Sequence, residues 1–207
     1  MGDDREQSLE YLRARVDTAV RGGFLDAEQI ADEIAEWVAD ELDDEEATDE
    51  LVQLATTKLA ALREAEATWT QRTTNDAIDA AFAELEAAGI IALQNAGYTQ
   101  TEGWEDVAQA ADERVPKRGV PLRGAVFYHG QDLERGVAGQ GLMIAFGAFE
   151  DGPRHEAESL AIARELCEML TRHGVAHVWN GSIDQRVGVT PFAWQRRRFT
   201  TAPPLPR

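Results

Sequence analysis

The feature that most constrains this chain is a change of character near residue 75. Before it, apolar residues recur at helical spacing and acids crowd the other faces. No clear strand is present. After it, glycine-bounded apolar runs of strand length alternate with helical stretches. The first pattern predicts a helical hairpin or small bundle. The second predicts a layered α+β domain, with a small mixed sheet of about five strands covered by helices. The second half also holds three of the five tryptophans, all four histidines and the single cysteine. Any chemistry is therefore expected there.

Three amphipathic helices are predicted in the first half. Leu9, Leu12, Val16, Ala19 and Val20 form one stripe, stopped by Gly22-Gly23. Asp26 is the expected N-cap of the next helix, with Gln29 completing a capping box ahead of Ile30, Ile34, Trp37, Val38 and Leu42. The stretch Asp40 to Glu50 holds eight acids and no base, which reads as a solvated turn. Thr48 is the expected cap of a third helix that carries Leu51, Leu54, Ala55, Leu59 and Leu62 towards Trp69.

Charge follows the same division. Residues 1–70 carry 20 acids against 6 bases, most of the formal net charge of −18. Such a field repels nucleic-acid phosphates and anionic membrane surfaces. The bland reading is solubility; the functional one is a surface that meets a basic partner. A recognition helix is rejected, because Asp26, Glu28, Asp32, Glu33 and Glu36 line the second helix where base-reading side chains would stand. No apolar run has the length to span a bilayer, and the acidic N-terminus does not resemble a targeting peptide. With one cysteine, Cys167, read as a buried small hydrophobe, these features point to a cytoplasmic protein. Arginine far exceeds lysine, 18 to 2, a composition typical of high-GC genomes.

In the second half, Thr73 caps a helix with Asp76 in a box position and Gly89 ends it. Ile90–Leu93, Ala125–Tyr128, Leu142–Phe146, Val175–Trp179 and Val187–Val189 read as strands. Helices are expected after Thr99 or Thr101, over Asp132–Ala138, and from Arg154 to His173. Pro116 breaks the first of these. Asn180-Gly181 is a two-residue hairpin signal. The resulting division is an acidic helical segment over 1–72, an α+β domain over 73–199, and a Pro-rich tail over 200–207.

Several stretches carry a resemblance. They are Gly89-Ile-Ile-Ala-Leu-Gln-Asn-Ala-Gly97, Phe127-Tyr-His-Gly-Gln-Asp132, Gly141-Leu-Met-Ile-Ala-Phe-Gly147, Trp179-Asn-Gly-Ser-Ile-Asp184 and Phe192-Ala-Trp-Gln-Arg-Arg-Arg198. Together they resemble an uncharacterised bacterial domain family of high-GC soil bacteria, over roughly residues 75–198 and more loosely the N-terminal helices. That resemblance implies no established activity. The element order is also similar to that of the ribonuclease E regulator B family, small α+β proteins that act by binding an enzyme.

Two constellations carry candidate chemistry. His129, at a strand end, is a candidate general base or metal ligand that Asp132 would orient. The structural alternative is that Asp132 caps the following helix. Asp184 and Arg186 would face one way on a strand and hold a polar ligand, or else pair within the sheet. Glycines 136, 139 and 141 precede a strand, the wrong order for a phosphate loop. The scattered histidines and lone cysteine give no metal site, and no cofactor is expected. No Gly-x-Ser-x-Gly elbow supports a serine nucleophile at Ser182. Trp194-Gln195-Arg196-Arg197-Arg198 is the basic, aromatic cluster. It reads best as docking onto the acidic helices, ahead of an external partner or nucleic acid.

The preferred reading is a non-catalytic protein-binding or regulatory module. Its contact residues are Tyr128, Trp179, Trp194, Arg196, Arg197 and Arg198. The alternative is a small-molecule hydrolase or transferase built on a His129, Asp132, Asp184 and Arg186 pocket. A third reading is a structural protein that forms a homodimer through its N-terminal helices.

Overall fold

A computed structural model describes residues 2–42, 44–114 and 120–197. Pro116, Arg198 and the Pro-rich tail lie outside the described residues. Two compact units are present. Among the described residues, one joins those up to Gln71 to Gln195–Arg197, and the other lies within Arg72–Trp194.

The helical unit contains α1 (Gly2–Gly22), α2 (Ala27–Glu41) and α3 (Glu45–Glu66). Gly23 takes φ +80°, a conformation open to glycine, and ends α1 where the sequence indicates. Asp26 accepts from the Gln29 backbone N–H, and the Gln29 side chain accepts from the Asp26 N–H, both at 2.9 Å. The start of α3 differs from expectation. Asp44, not Thr48, is its N-cap, and its carboxylate accepts from the backbone N–H groups of Glu46 and Ala47. The acidic run is thus divided: Asp40 and Glu41 end α2, while Asp44, Glu45 and Glu46 open α3, where carboxylates meet the positive end of the macrodipole. The three apolar stripes meet in a core that includes Leu9, Leu12, Val16, Ile30, Ile34, Leu51 and Ala55. Ion pairs tie α1 to α3 across the surface: Arg13 to Glu50 and Lys58 to Asp17, each at 2.7 Å.

The α+β unit runs α4 (Thr74–Ala87), β1 (Ile90–Gln94), α5 (Gln100–Glu113), β2 (Gly124–Tyr128), α6 (Gly130–Val137), β3 (Leu142–Ala148), α7 (His155–Arg172), β4 (His177–Val178) and β5 (Val187–Val189). The sheet order is β1-β2-β3-β5-β4, with β1 and β2 parallel and the other neighbours antiparallel. The fold is α+β, a five-stranded mixed sheet packed with helices. Helices α4 and α7 pack on each other, α4 on β1 and α7 on β2 and β3. Helix α5 packs against β1 and β2. There Gly103 permits close approach, since a Cβ at that position would meet the buried Phe127 ring at 2.3 Å. Trp104 stands edge-on to the same ring at 5.0 Å.

Three local expectations are corrected. The helix placed over Asp132–Ala138 begins earlier, at Gly130, so its N-cap is His129 and Asp132 sits in its first turn. Strand β4 is only His177–Val178, because Val175 N–H is spent on the Leu170 carbonyl in closing α7. Residues 179–186 form a longer connection between β4 and β5 in place of a two-residue hairpin. Within it Asn180 Oδ1 accepts from Ser182 N–H, and the Trp179 indole N–H donates to the carbonyls of Ser182 and Gln185.

Candidate functional site

Parallel strands β1 and β2 end side by side, and each feeds a helix. Asn95 (φ 53°) and Gly97 (φ 54°) turn the chain after β1. Thr99 then caps α5, with Glu102 in the box position. The Glu102 carboxylate accepts from the N–H groups of Tyr98 and Thr99 at 2.7 and 2.9 Å. Those bonds to Thr99 and Tyr98 hold it below the ordinary glutamate range. The same loop braces the neighbouring one: Gly130 N–H donates to the Gly97 carbonyl and Gln131 N–H to the Tyr98 carbonyl. This fixes the N-terminus of α6 and places His129 and Asp132 beneath it.

Arg186, just before β5, completes the cluster. Its Nη1 lies 3.0 Å from His129 Nε2, and 3.0 and 2.8 Å from the two Asp132 oxygens. His129 Nε2 is 3.0 Å from Asp132 Oδ2. The side chains of His129 and Asp132 expose 5% and 1% of their surface, while Arg186 exposes 31%. Asp132 also accepts from the His129 backbone N–H at 3.4 Å. One carboxylate therefore serves both a helix start and a long-range ion pair.

The proton arrangement has two forms that exclude each other. Arginine only donates, so Nε2 accepts from Arg186 when the ring proton is on Nδ1. With the proton on Nε2, the ring donates to Asp132 instead. Nδ1 is buried without a hydrogen bond of good geometry. The Tyr98 backbone is the main-chain group that acts on the ring. Burial pushes His129 below the ordinary histidine range, and the Arg186 guanidinium acts the same way against the pull of Asp132. Burial pushes the Asp132 carboxyl up, opposed by Arg186 and His129.

Of the four residues expected to share a pocket, three converge and Asp184 does not. Asp184 is exposed in the 179–186 connection, where its N–H donates to Ser182 Oγ at 3.2 Å. Residues 184 and 186 precede β5, so the strand alternation expected of them is not formed.

The expected contact residues separate as well. Tyr128 is buried in the sheet layer, where its hydroxyl donates to Gln94 Oε1 at 2.8 Å and its ring meets Trp194 edge-on at 6.1 Å. Trp194 is buried and packs edge-on against Phe192. Trp179 stays partly exposed beside Phe146. Arg196 and Arg197 pack within the helical unit, over the rings of Phe24 and Trp69. Cys167 is half-buried, and burial raises its thiol.

Sequence reasoning did not find the surface feature next to Arg186. An open groove of about 450 Å³ is lined by Met143, Val178, Trp179, Arg186 and Gly188 among others. Met143, Gly188 and Val178 are register partners across β3, β5 and β4, so they share one face. Val178 is 58% exposed on the edge strand. Strand register is the signal that finds this row, and it belongs to the folded sheet. Among the described residues, no group of three His, Cys, Asp or Glu side chains is arranged to hold a metal ion. Nor is any helix long and apolar enough to cross a membrane.

No curated protein and no solved structure matches this chain. One family model does, over residues 5–198, covering the helices as well as the sheet. The chain therefore belongs to the family described as Domain of unknown function (DUF6891).

Proposed function

We propose that this chain is a non-catalytic protein-binding or regulatory module of the bacterial cytoplasm, and that its partner engages the groove beside β4. The observation that carries this reading is that the polar cluster is closed on itself. A general base needs a lone pair aimed at substrate. In His129, Nε2 faces Asp132 and Arg186, and Nδ1 is buried. The accessible feature is instead apolar: Val178 on the short edge strand β4, Trp179 just after it, and Met143 on the same sheet face in β3. An extended partner segment that sets an apolar side chain beside Val178 fits such an edge. The likeness of element order to the ribonuclease E regulator B family supports the same class of role.

The test is tagged full-length chain captured with its partners from the native host. A partner held by wild type and lost in Val178→Asp, at unchanged Tm, supports the module. Capture indifferent to Val178→Asp and Met143→Asp removes it.

One observation favours a second reading, a small-molecule enzyme. Three polar side chains from two distant segments meet within 3.0 Å, and Arg186 also lines the groove. An anionic ligand in the groove would draw the guanidinium outward and uncover His129. Thermal-shift screening with carboxylates and phosphate esters checks this. A ligand that raises the Tm of wild type but not of Arg186→Gln would overturn the first reading.

A further inference from the structure

Arg186 presents two edges, and the fold occupies one of them. Its Nη1 is held by His129 and Asp132, at 3.0 Å from Nε2 and 2.8 Å from Oδ2. Among the described residues, Nε and Nη2 donate to no group. That second edge is the fork that takes a carboxylate by two parallel N–H bonds. The side chain is 31% exposed and lines the groove beside β4. Of the residues lining that groove, Arg186 alone is charged, in a chain that carries 38 acids. Asp184, exposed in the same connection, is not among them. Apolar surface adjoins the cation. Gly188 in β5 lets Val178 and Met143 close in from either side, since a Cβ there would meet Val178 Cγ2 at 3.3 Å and Met143 Sδ at 3.4 Å.

We infer that the segment taken by this groove is acidic as well as apolar: its Asp or Glu carboxylate sits on the second edge of Arg186 while its apolar side chain lies on Val178 and Met143. The inference rests on the groove reading above and names the chemistry of the partner. A mobile surface arginine gains little from an ion pair, because ordering the side chain offsets the attraction. Asp132 and His129 already hold this guanidinium in place, so less freedom is lost on capture. The carboxylate meets the outer edge, and the buried cluster stays closed. The acids elsewhere on the chain disfavour other docking places for such a segment.

The experiment titrates the full-length chain with an end-capped Thr-Val-Glu-Val-Thr peptide and follows the Arg186 Nε–H and Gly188 N–H signals by proton–nitrogen correlation NMR. Both signals are expected to shift together and saturably. Gln in place of the peptide's Glu is expected to weaken binding on the order of tenfold, the loss of a charge-assisted pair. Ser in place of both Val residues weakens it as well. Arg186→Lys keeps a cation for Asp132 but has no fork, and it is expected to lose the preference for Glu over Gln. Equal binding of the Glu and Gln peptides overturns the inference, as does an Arg186 Nε–H signal that never moves. A Glu preference retained in Arg186→Lys also overturns it, since any cation would then serve. If Val178-dependent capture of a partner persists while the Glu preference is absent, the carboxylate contact is removed and the groove reading stands; if both fail, both are removed.

Discussion

Both units carry ion pairs at their surfaces, and the α+β unit adds a buried one. In the helical unit, Arg5, Arg13, Arg21 and Lys58 meet their carboxylates at the surface, with a third or more of each basic side chain exposed. In the α+β unit, Asp132 and His129 are sealed off and one arginine closes over them. Ion pairs in water gain little, because solvation competes and side-chain entropy is lost. A buried charge is costly to leave alone, so removing its partner has a large effect. The helical unit therefore rests on its apolar stripes, and the α+β unit depends on keeping one ionic cluster complete.

The sharpest way to break this contrast is Arg186→Ala. It leaves Asp132 buried without its guanidinium and is expected to cost about 3 kcal/mol in urea unfolding, the low end for a broken buried pair because Arg186 is partly exposed. Asp132→Asn should recover much of that loss in the Arg186→Ala background. A double variant no more stable than Arg186→Ala would mean that the buried charge is not what costs the energy. Gly103→Ala comes next, at about 2 kcal/mol, since the added methyl meets a buried ring that has no room to move.

A smaller effect separates the units by pH. The folded state holds His129 below the ordinary value near 6.5. Its contribution is therefore present above that pH and lost as pH falls below it. Asp132, pushed up by burial, contributes with the opposite sign: its share is present at low pH and lost as pH rises through its folded value. Urea midpoints of wild type and His129→Gln, taken between pH 7.5 and 5.5, should diverge as pH falls below about 6.5, with wild type losing more. Parallel lines would show that the ring does not titrate against burial. The smallest effect is Arg13→Ala in the helical unit, a urea midpoint shifted little and still less in high salt.

Local chemistry was legible where one residue and its neighbours decide the outcome. Asp26 with Gln29 and Thr73 with Asp76 cap helices as their spacing indicates. The five strands and their alternation with helices could be read from glycine-bounded apolar runs. Misreadings arose where several residues compete for one role. Asp44 and Thr48 both suit an N-cap, and Asp44 takes the role by accepting from the backbone N–H groups of Glu46 and Ala47. Asp132 looks like a cap by type, yet it is the reach-back partner of His129, a residue that seldom caps. The site was half legible for the same reason. His129 and Asp132 are three apart and meet through local geometry, whereas Arg186 arrives only through the pairing of β5 with β3. Tyr128 and Trp194 read as contact residues because polar groups adjoin them in sequence. Their rings are instead core, since the edge-on stack with Phe192 forms only in three dimensions.

Among the described residues, the helical unit takes in both those up to Gln71 and the segment Gln195–Arg197. Synthesis of such a chain runs in an order that its architecture does not follow. The three helices emerge first and can associate, and the sheet emerges next and can close. Only then do Arg196 and Arg197 become available to cover Phe24 and Trp69. During translation those two aromatic faces are bare on a nascent chain, exposed for as long as the ribosome takes to deliver Arg72–Trp194, several seconds or more at about 5–20 residues per second.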